Sequence, residues 1–297
     1  MSSSITPVDY CDDGAGAPSA ASTGSNASGA RIVRGELLIN GTPTFLYGGE
    51  LQYFRVRDAG GDVAKTHAMW AATLDAMVEA NMNLVTTYVP WDFHARADRQ
   101  CDFTGTRDLS LFLSMVAARG MKAIVKPGPL IFAEWPRDFG SYGAVPQWWK
   151  QAHLEALEQT PDGKLFAFAN FGPGKPSNRQ PTLLHPAYLS AVADFYGQFA
   201  AAIKDHLGST VIGVQVDNET NNFWASPFGG PGYSAVVLAH YRQYLRSRYA
   251  SIEAVNDAYG TAHTTFDEVN PPTRDPKWSD SAKDNPWLRD WYDAGQL

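Results

Sequence analysis

Short apolar runs that end in Gly or Pro alternate, through the middle of the chain, with longer stretches in which apolar residues recur at helical spacing. That alternation predicts strands and helices in turn. Thr44–Gly49 (TFLYGG) reads as a short buried strand, and Trp70–Ala80 as the helix that follows it. Asn83–Val89 (NLVTTYV) is rich in β-branched residues and reads as a second strand, followed after a polar loop by a helix over Leu109–Ala118 that Gly120 stops. A third strand, Met121–Val125, runs into Lys126-Pro127-Gly128-Pro129, where two prolines are expected to end sheet pairing. After a long Pro- and Gly-rich excursion, Pro186–Ile203 reads as a helix and Thr210–Val216 (TVIGVQV) as a fourth strand. Helices are then expected over Ser234–Arg248, Ile252–Tyr259 and Pro286–Asp293, with no fifth strand.

The strands are mostly continuous apolar runs, which suits strands covered on both faces; a half-exposed antiparallel sheet would alternate. Strand and helix in alternation mean parallel βαβ units and an α/β fold. A closed TIM (β/α)8 barrel takes about 250 residues. Here the long loops after the third and fourth strands use that length with only four units completed, so the barrel is expected to be truncated after about four units. An open four-stranded α/β sheet is the plainer alternative, although no Gly-rich phosphate loop follows the first strand.

Composition changes this picture at the N-terminus. Between Asp12 and Gly29 the chain is mostly Ala, Gly, Ser, Thr and Asn, with almost nothing to bury, so residues 1–30 are expected to form a disordered tail and 31–297 the folded part. A net charge of -7 with scattered basic residues argues against nucleic acid as a partner. No run long enough to span a membrane and no apolar leader occurs, from which a cytoplasmic, membrane-free location is expected. Cys11 and Cys101 stand apart from each other and from any His or Cys at metal-binding spacing, so free thiols and no metal are expected. The oligomeric state is not legible.

In parallel α/β folds reactive groups gather where strands end at their carboxyl side. Four places qualify: Glu50–Arg55, Tyr88–His94, Pro127–Trp135 and Asp217–Asn222. Each holds acids, amides or aromatics directly after apolar sequence. Sugars are bound by aromatic rings against their C–H faces and by amides and carboxylates on their hydroxyls, so this mixture, with nine tryptophans in the chain, suits a carbohydrate. Any one of Trp91, Trp135, Trp148 and Trp149 could equally be packing a loop. The sharpest signal is Gln215-Val216-Asp217-Asn218-Glu219 at the end of a buried strand. Retaining hydrolysis of a glycoside needs one carboxyl group as acid then base, with a second about 5 to 5.5 Å away as nucleophile. A carboxyl where an apolar strand ends is expected to be partly desolvated, which favours proton donation. It could instead bind a metal or cap the next helix.

Five segments together resemble the successive signatures of glycoside hydrolase family 35. They are Gly49–Arg55 (GELQYFR), Thr87–His94 (TYVPWDFH), Asp102–Leu109 (DFTGTRDL), Pro127–Trp135 (PGPLIFAEW) and Gln215–Glu219 (QVDNE), in the family's order. Tyr241–Val269 is similar instead to the segment after the acid/base in family 42 β-galactosidases, of the same clan. The resemblance implies a (β/α)8 glycosidase performing a cofactor-free retaining double displacement on terminal β-D-galactosyl residues, with a β-galactoside as its partner. It matches Glu219 to the catalytic acid/base and Asn218 to the neighbour that holds the 2-hydroxyl. Tyr88, Ala133 and Glu134 match positions lining the galactose subsite.

The chain departs from the family pattern at Leu130 and Phe132, where Tyr and Cys are usual, at Asp217, where Glu is, and at Ala95-Arg96, where Glu-Pro follows the histidine. Phe132 in place of a small thiol changes the shape of the sugar site, so β-linked glucosamine or glucose stays open. The nucleophile implied by the clan is a glutamate at the end of the seventh strand. It is expected beyond residue 297, and the 297 residues alone are expected to be inactive. A non-catalytic carbohydrate-binding relative without a nucleophile is the other reading.

Overall fold

The computed structural model describes residues 29–96, 100–131, 142–167, 179–219, 232–272 and 285–296. The tail expected over 1–30 lies outside them but for its last two residues. The described chain enters through a small antiparallel sheet of β1 (Ala30–Val33), β2 (Glu36–Ile39) and β3 (Thr42–Pro43), in that spatial order. It then builds a parallel sheet whose strands lie side by side in chain order: β4 (Gly48–Glu50), β5 (Leu84–Tyr88), β6 (Lys122–Ile131) and β7 (Val211–Asn218). Helices fill the connections: α1 (Val63–Glu79), the short α2 (Trp91–His94), α3 (Leu109–Ala118), α4 (Gln147–Ala152) and α5 (Pro186–Ile203). Past the sheet come α6 (Ala235–Arg248), α7 (Ile252–Tyr259) and α8 (Pro286–Gln296).

The helices begin where side chains can hold their free amides. Asp62 accepts from the Lys65 amide at 3.0 Å, Asp108 from Leu111 at 2.8 Å, and α5 opens on Pro186, whose missing N–H has no partner to lose there. Gly260, in the left-handed conformation, ends α7. At Gly48 a Cβ would meet the Leu84 carbonyl oxygen at 2.4 Å, so only glycine lets β4 lie this close to β5.

The helix-covered face of the sheet carries the first core. Val85, Ala123 and Val125 are fully buried beneath Trp70 and Leu74 of α1, Phe112, Leu113 and Val116 of α3, and the end of α5. A second cluster joins Trp91, Leu130, Trp149 and Phe195, and a third holds α6, α7 and α8 around Tyr241 and Trp291. Trp91 and Trp149 are thus packing residues, whereas Trp148 is half-buried and Trp135 lies outside the described residues.

Three strand expectations change. The first strand starts later, at Gly48, because the Asn83 side chain replaces ladder partners: it accepts from the Tyr47 amide at 2.9 Å and donates to the Phe45 carbonyl at 2.8 Å. β6 does not stop at Val125 but reaches Ile131, and its pairing with β7 survives the prolines through register shifts on either side of Gly128. β7 is not covered on both faces: among the described residues it is the last strand of the sheet, and Val214 and Val216 are exposed. The four parallel strands among the described residues are half the number in a closed (β/α)8 barrel. Among the described residues no helix is long and apolar enough to cross a membrane.

His94 is wholly buried, donating from Nδ1 to the Asp102 carbonyl at 2.8 Å and accepting the Tyr53 hydroxyl on Nε2 at 2.5 Å. Burial drives its pKa down to about 4 from an ordinary 6.5. Between those values the unfolded chain binds a proton that the folded chain does not. His94 therefore makes stability rise with pH across that window, by roughly 3 kcal/mol, and that contribution is lost as pH falls through it. Half-buried Asp92 and buried Glu158, each raised to about 7, act in the opposite sense over part of the range, so the comparison must be between proteins. Unfolding free energies of the parent and His94→Gln at pH 4 to 7 should differ in slope; parallel profiles would mean that His94 is not neutral in the fold.

Candidate active site

Parallel pairing brings the carboxyl ends of the four strands to one edge of the sheet. In register there are Glu50 with Thr86, Tyr88 with Lys126, Gly128 with Val216, and Ile131 with Asn218. Tyr88 is buried at the end of β5; Asn218 and Glu219 lie two strands away at the end of β7, across β6. Ala133 and Glu134 fall outside the described residues, two and three positions after β6 ends.

A polar group not foreseen as a unit fills the first part of this edge. Lys126 Nζ lies 2.6 Å from Glu50 Oε2 and 4.3 Å from the centre of the Tyr88 ring. Gln52 donates its amide to Glu50 and accepts the Tyr88 backbone amide at 3.3 Å. The Lys126 side chain is only 14% exposed, so the pair is screened less than a surface bridge and the cation rests on the ring face. Glu50 and Lys126 are 76 residues apart in the chain, and strand register alone brings them together. The outcome is a Tyr88 ring fixed from two sides, by its backbone through Gln52 and by its face through Lys126.

At the other end of the edge the Gln215 side chain donates to the Asp217 carbonyl and to the Asn218 Oδ1, both at 3.1 Å. Asp217 and Glu219 take left-handed backbone angles, φ 59° and 52°, an uncommon and costly conformation for residues with side chains. The burial expected of Glu219 falls on Asp217. Glu219 is exposed, whereas Asp217 is half-buried and accepts the Leu130 amide at 2.9 Å. Burial raises the Asp217 carboxyl above its usual range, with the Leu130 amide pulling it back in part. Asp92, inside the second signature, is a half-buried acid facing buried Lys150 of α4, and desolvation moves both groups toward neutrality. Among the described residues no group of three His, Cys, Asp or Glu side chains could hold a metal ion.

Residues 36–162 match the family model described as glycosyl hydrolases family 35. Among curated proteins the chain is 30% identical over 278 residues to an exo-beta-D-glucosaminidase of Thermococcus kodakarensis, which covers 89% of this chain and 31% of that protein. It is 28% identical over 215 residues to the beta-galactosidase of Homo sapiens, covering 71% and 26%. The chain thus spans less than a third of the length of these relatives. Among solved structures, the beta-galactosidase from the psychrophilic Marinomonas ef1 superposes with a TM-score of 0.56 at 17% identity, over 84% of this chain and 33% of that one. That likeness concerns the fold, and it supplies what the four-stranded sheet left open between a barrel segment and an open sheet. Residues 36–162 thus carry the match to glycosyl hydrolases family 35, in an α/β chain with the fold of part of a TIM-barrel glycosidase.

Proposed function

We propose that this chain supplies the acid/base side of the active site of a retaining β-glycosidase, acting on terminal β-D-galactosyl residues. The observation that carries the reading is the sequence Asn218-Glu219 at the carboxyl end of β7, on the same sheet edge as Tyr88. In the first step Glu219 gives its proton to the departing glycosidic oxygen while a carboxylate nucleophile attacks the anomeric carbon. In the second step the same group takes a proton from water, which releases the sugar with its configuration kept. Exposure at the strand end suits Glu219 to both steps, because leaving group and water must each reach it. In this reading Asn218, whose Oδ1 accepts from Gln215, bonds the 2-hydroxyl, and Tyr88 lines the galactose subsite. Glu134 binds sugar hydroxyls. No residue of this chain is assigned as nucleophile, and no cofactor enters the reaction.

A second reading, a β-linked glucosamine as the sugar, is favoured by the longer match to the exo-beta-D-glucosaminidase and by Phe132 at a position where the resemblance implies a small thiol. A panel of nitrophenyl β-glycosides assayed on the whole protein separates the two: the galactoside should have the highest kcat/KM. A higher value on the glucosaminide would move the assignment to that sugar, and no turnover of any member would leave a carbohydrate-binding protein. Glu134→Gln should weaken β-galactoside binding by about tenfold or more, the scale of a lost charge-assisted hydrogen bond, when read by calorimetry. Unchanged affinity would make Glu134 a structural carboxylate.

A further inference from the structure

The ladder between β6 and β7 breaks where the site is built. Its register shifts between Val125 and Gly128 and again between Gly128 and Ile131, so Leu130 lies inside the second irregularity. There the Asp217 side chain takes over, accepting the Leu130 amide at 2.9 Å. The Leu130 side chain is fully buried in the second core cluster with Trp91, Trp149 and Phe195, which makes it a rigid anchor. Tyr196 of α5 donates its hydroxyl to the Gly128 carbonyl and so pins the other side of the same irregularity. The charge of Asp217 adds to burial in holding the Tyr188 and Tyr196 hydroxyls protonated, which places both phenols in its surroundings. Asp217 also stands between two constraints of its own strand: its backbone is left-handed, as is that of Glu219, and its carbonyl accepts from Gln215.

We infer that Asp217 is a positioning residue: by clamping the end of β6 through Leu130, it holds the left-handed turn that presents Glu219 and sets the distance between the two strand ends. The inference rests on the reading of Glu219 as acid/base. A misplacement of about 1 Å at a proton-transferring group can cost about 10²-fold in rate. The clamp works through one accepted hydrogen bond, which an amide oxygen in the same place also makes, so the carboxylate charge is not what the site requires.

The test compares Asp217→Ala and Asp217→Asn in the whole protein, with two readouts. Amide hydrogen exchange at Leu130 should speed up about tenfold or more in the alanine variant and stay near the parent in the asparagine variant. On a disaccharide, kcat/KM of the alanine variant should fall by about 10²-fold, whereas the rate of the nitrophenol burst from an activated glycoside should fall much less; asparagine should restore most of the loss. Unchanged Leu130 exchange in Asp217→Ala would overturn the clamp. So would a loss in the glycosylation step that is equal for good and poor leaving groups, which is what general destabilisation gives. Glu219→Gln measured alongside keeps the two ideas apart. If it retains full activity on the disaccharide the acid/base reading fails, while exchange at Leu130 still decides whether Asp217 ties the strands together.

Discussion

Glu219→Gln should nearly abolish hydrolysis of a natural β-linked disaccharide. A general acid matters most when the leaving group is poor, and a sugar hydroxyl is a poor one. The expected loss is at least the roughly 10² to 10⁴ typical of general acid–base catalysis, and more if the water-activating step slows as well. Glutamine is nearly isosteric and keeps a hydrogen-bonding head, so the exposed strand end should fold unchanged. On an activated nitrophenyl glycoside, whose departure needs little protonation, the glycosyl-enzyme should form at near the parent rate and then accumulate. Pre-steady-state absorbance should therefore show a burst of nitrophenol followed by slow turnover. Steady hydrolysis of both substrates at parent rates would remove Glu219 from the reaction.

Trp70→Ala should cost roughly 3–5 kcal/mol of stability, the range for deleting a buried aromatic side chain. Trp70 is fully buried, and its indole N–H donates to two carbonyls of the loop after β4, Tyr53 at 3.0 Å and Val56 at 2.7 Å. Its ring meets those of Tyr53 and Phe112 edge-on, each at 5.8 Å. Alanine would leave a cavity under α1 and two carbonyls without their donor. The same loop contains Gln52, which supports Glu50 and the Tyr88 backbone, so the variant should lose activity more steeply on warming than the parent. Urea unfolding gives the number; a loss under about 1 kcal/mol would mean that the core closes over the gap.

What the chain reveals locally and what only the fold assembles divide along physical lines. The helices Leu109–Ala118, Pro186–Ile203 and Ile252–Tyr259 lie where their spacing places them, because Asp108, Pro186 and Ser251 mark their starts and Gly260 the end of the last. The parallel order of the strands follows from their alternation with helices. The three-stranded sheet of Ala30–Pro43 escapes such reading, since its strands are two to four residues long and mostly exposed, which leaves little periodicity to detect. The prolines at 127 and 129 mislead for a related reason: a missing N–H ends a regular ladder, but register shifts let β6 resume beyond them.

Site residues divide in the same way. Tyr88, Asn218 and Glu219 stand out because each closes an apolar run. Glu50 with Lys126 is 76 positions apart and Leu130 with Asp217 is 87, so nothing local links the members of either pair. Burial is harder still to read: the desolvation expected of the strand-end acid Glu219 falls instead on Asp217, with only Asn218 between them, and Asp217 is half-buried while Glu219 is exposed. Both positions take left-handed backbone angles, which a composition of Asp, Asn and Glu does not announce.

The stereochemistry of azide rescue tests the central claim most directly. Glu219→Gln, saturated with an activated nitrophenyl β-galactoside and then given azide, lacks the base that water needs but not the nucleophile that azide is. If Glu219 is the acid/base of a double displacement, azide should restore turnover, and proton NMR of the product should show the β-galactosyl azide, formed on the face from which the leaving group departed. An α-galactosyl azide, or a variant that turns over fully without azide, would contradict the account.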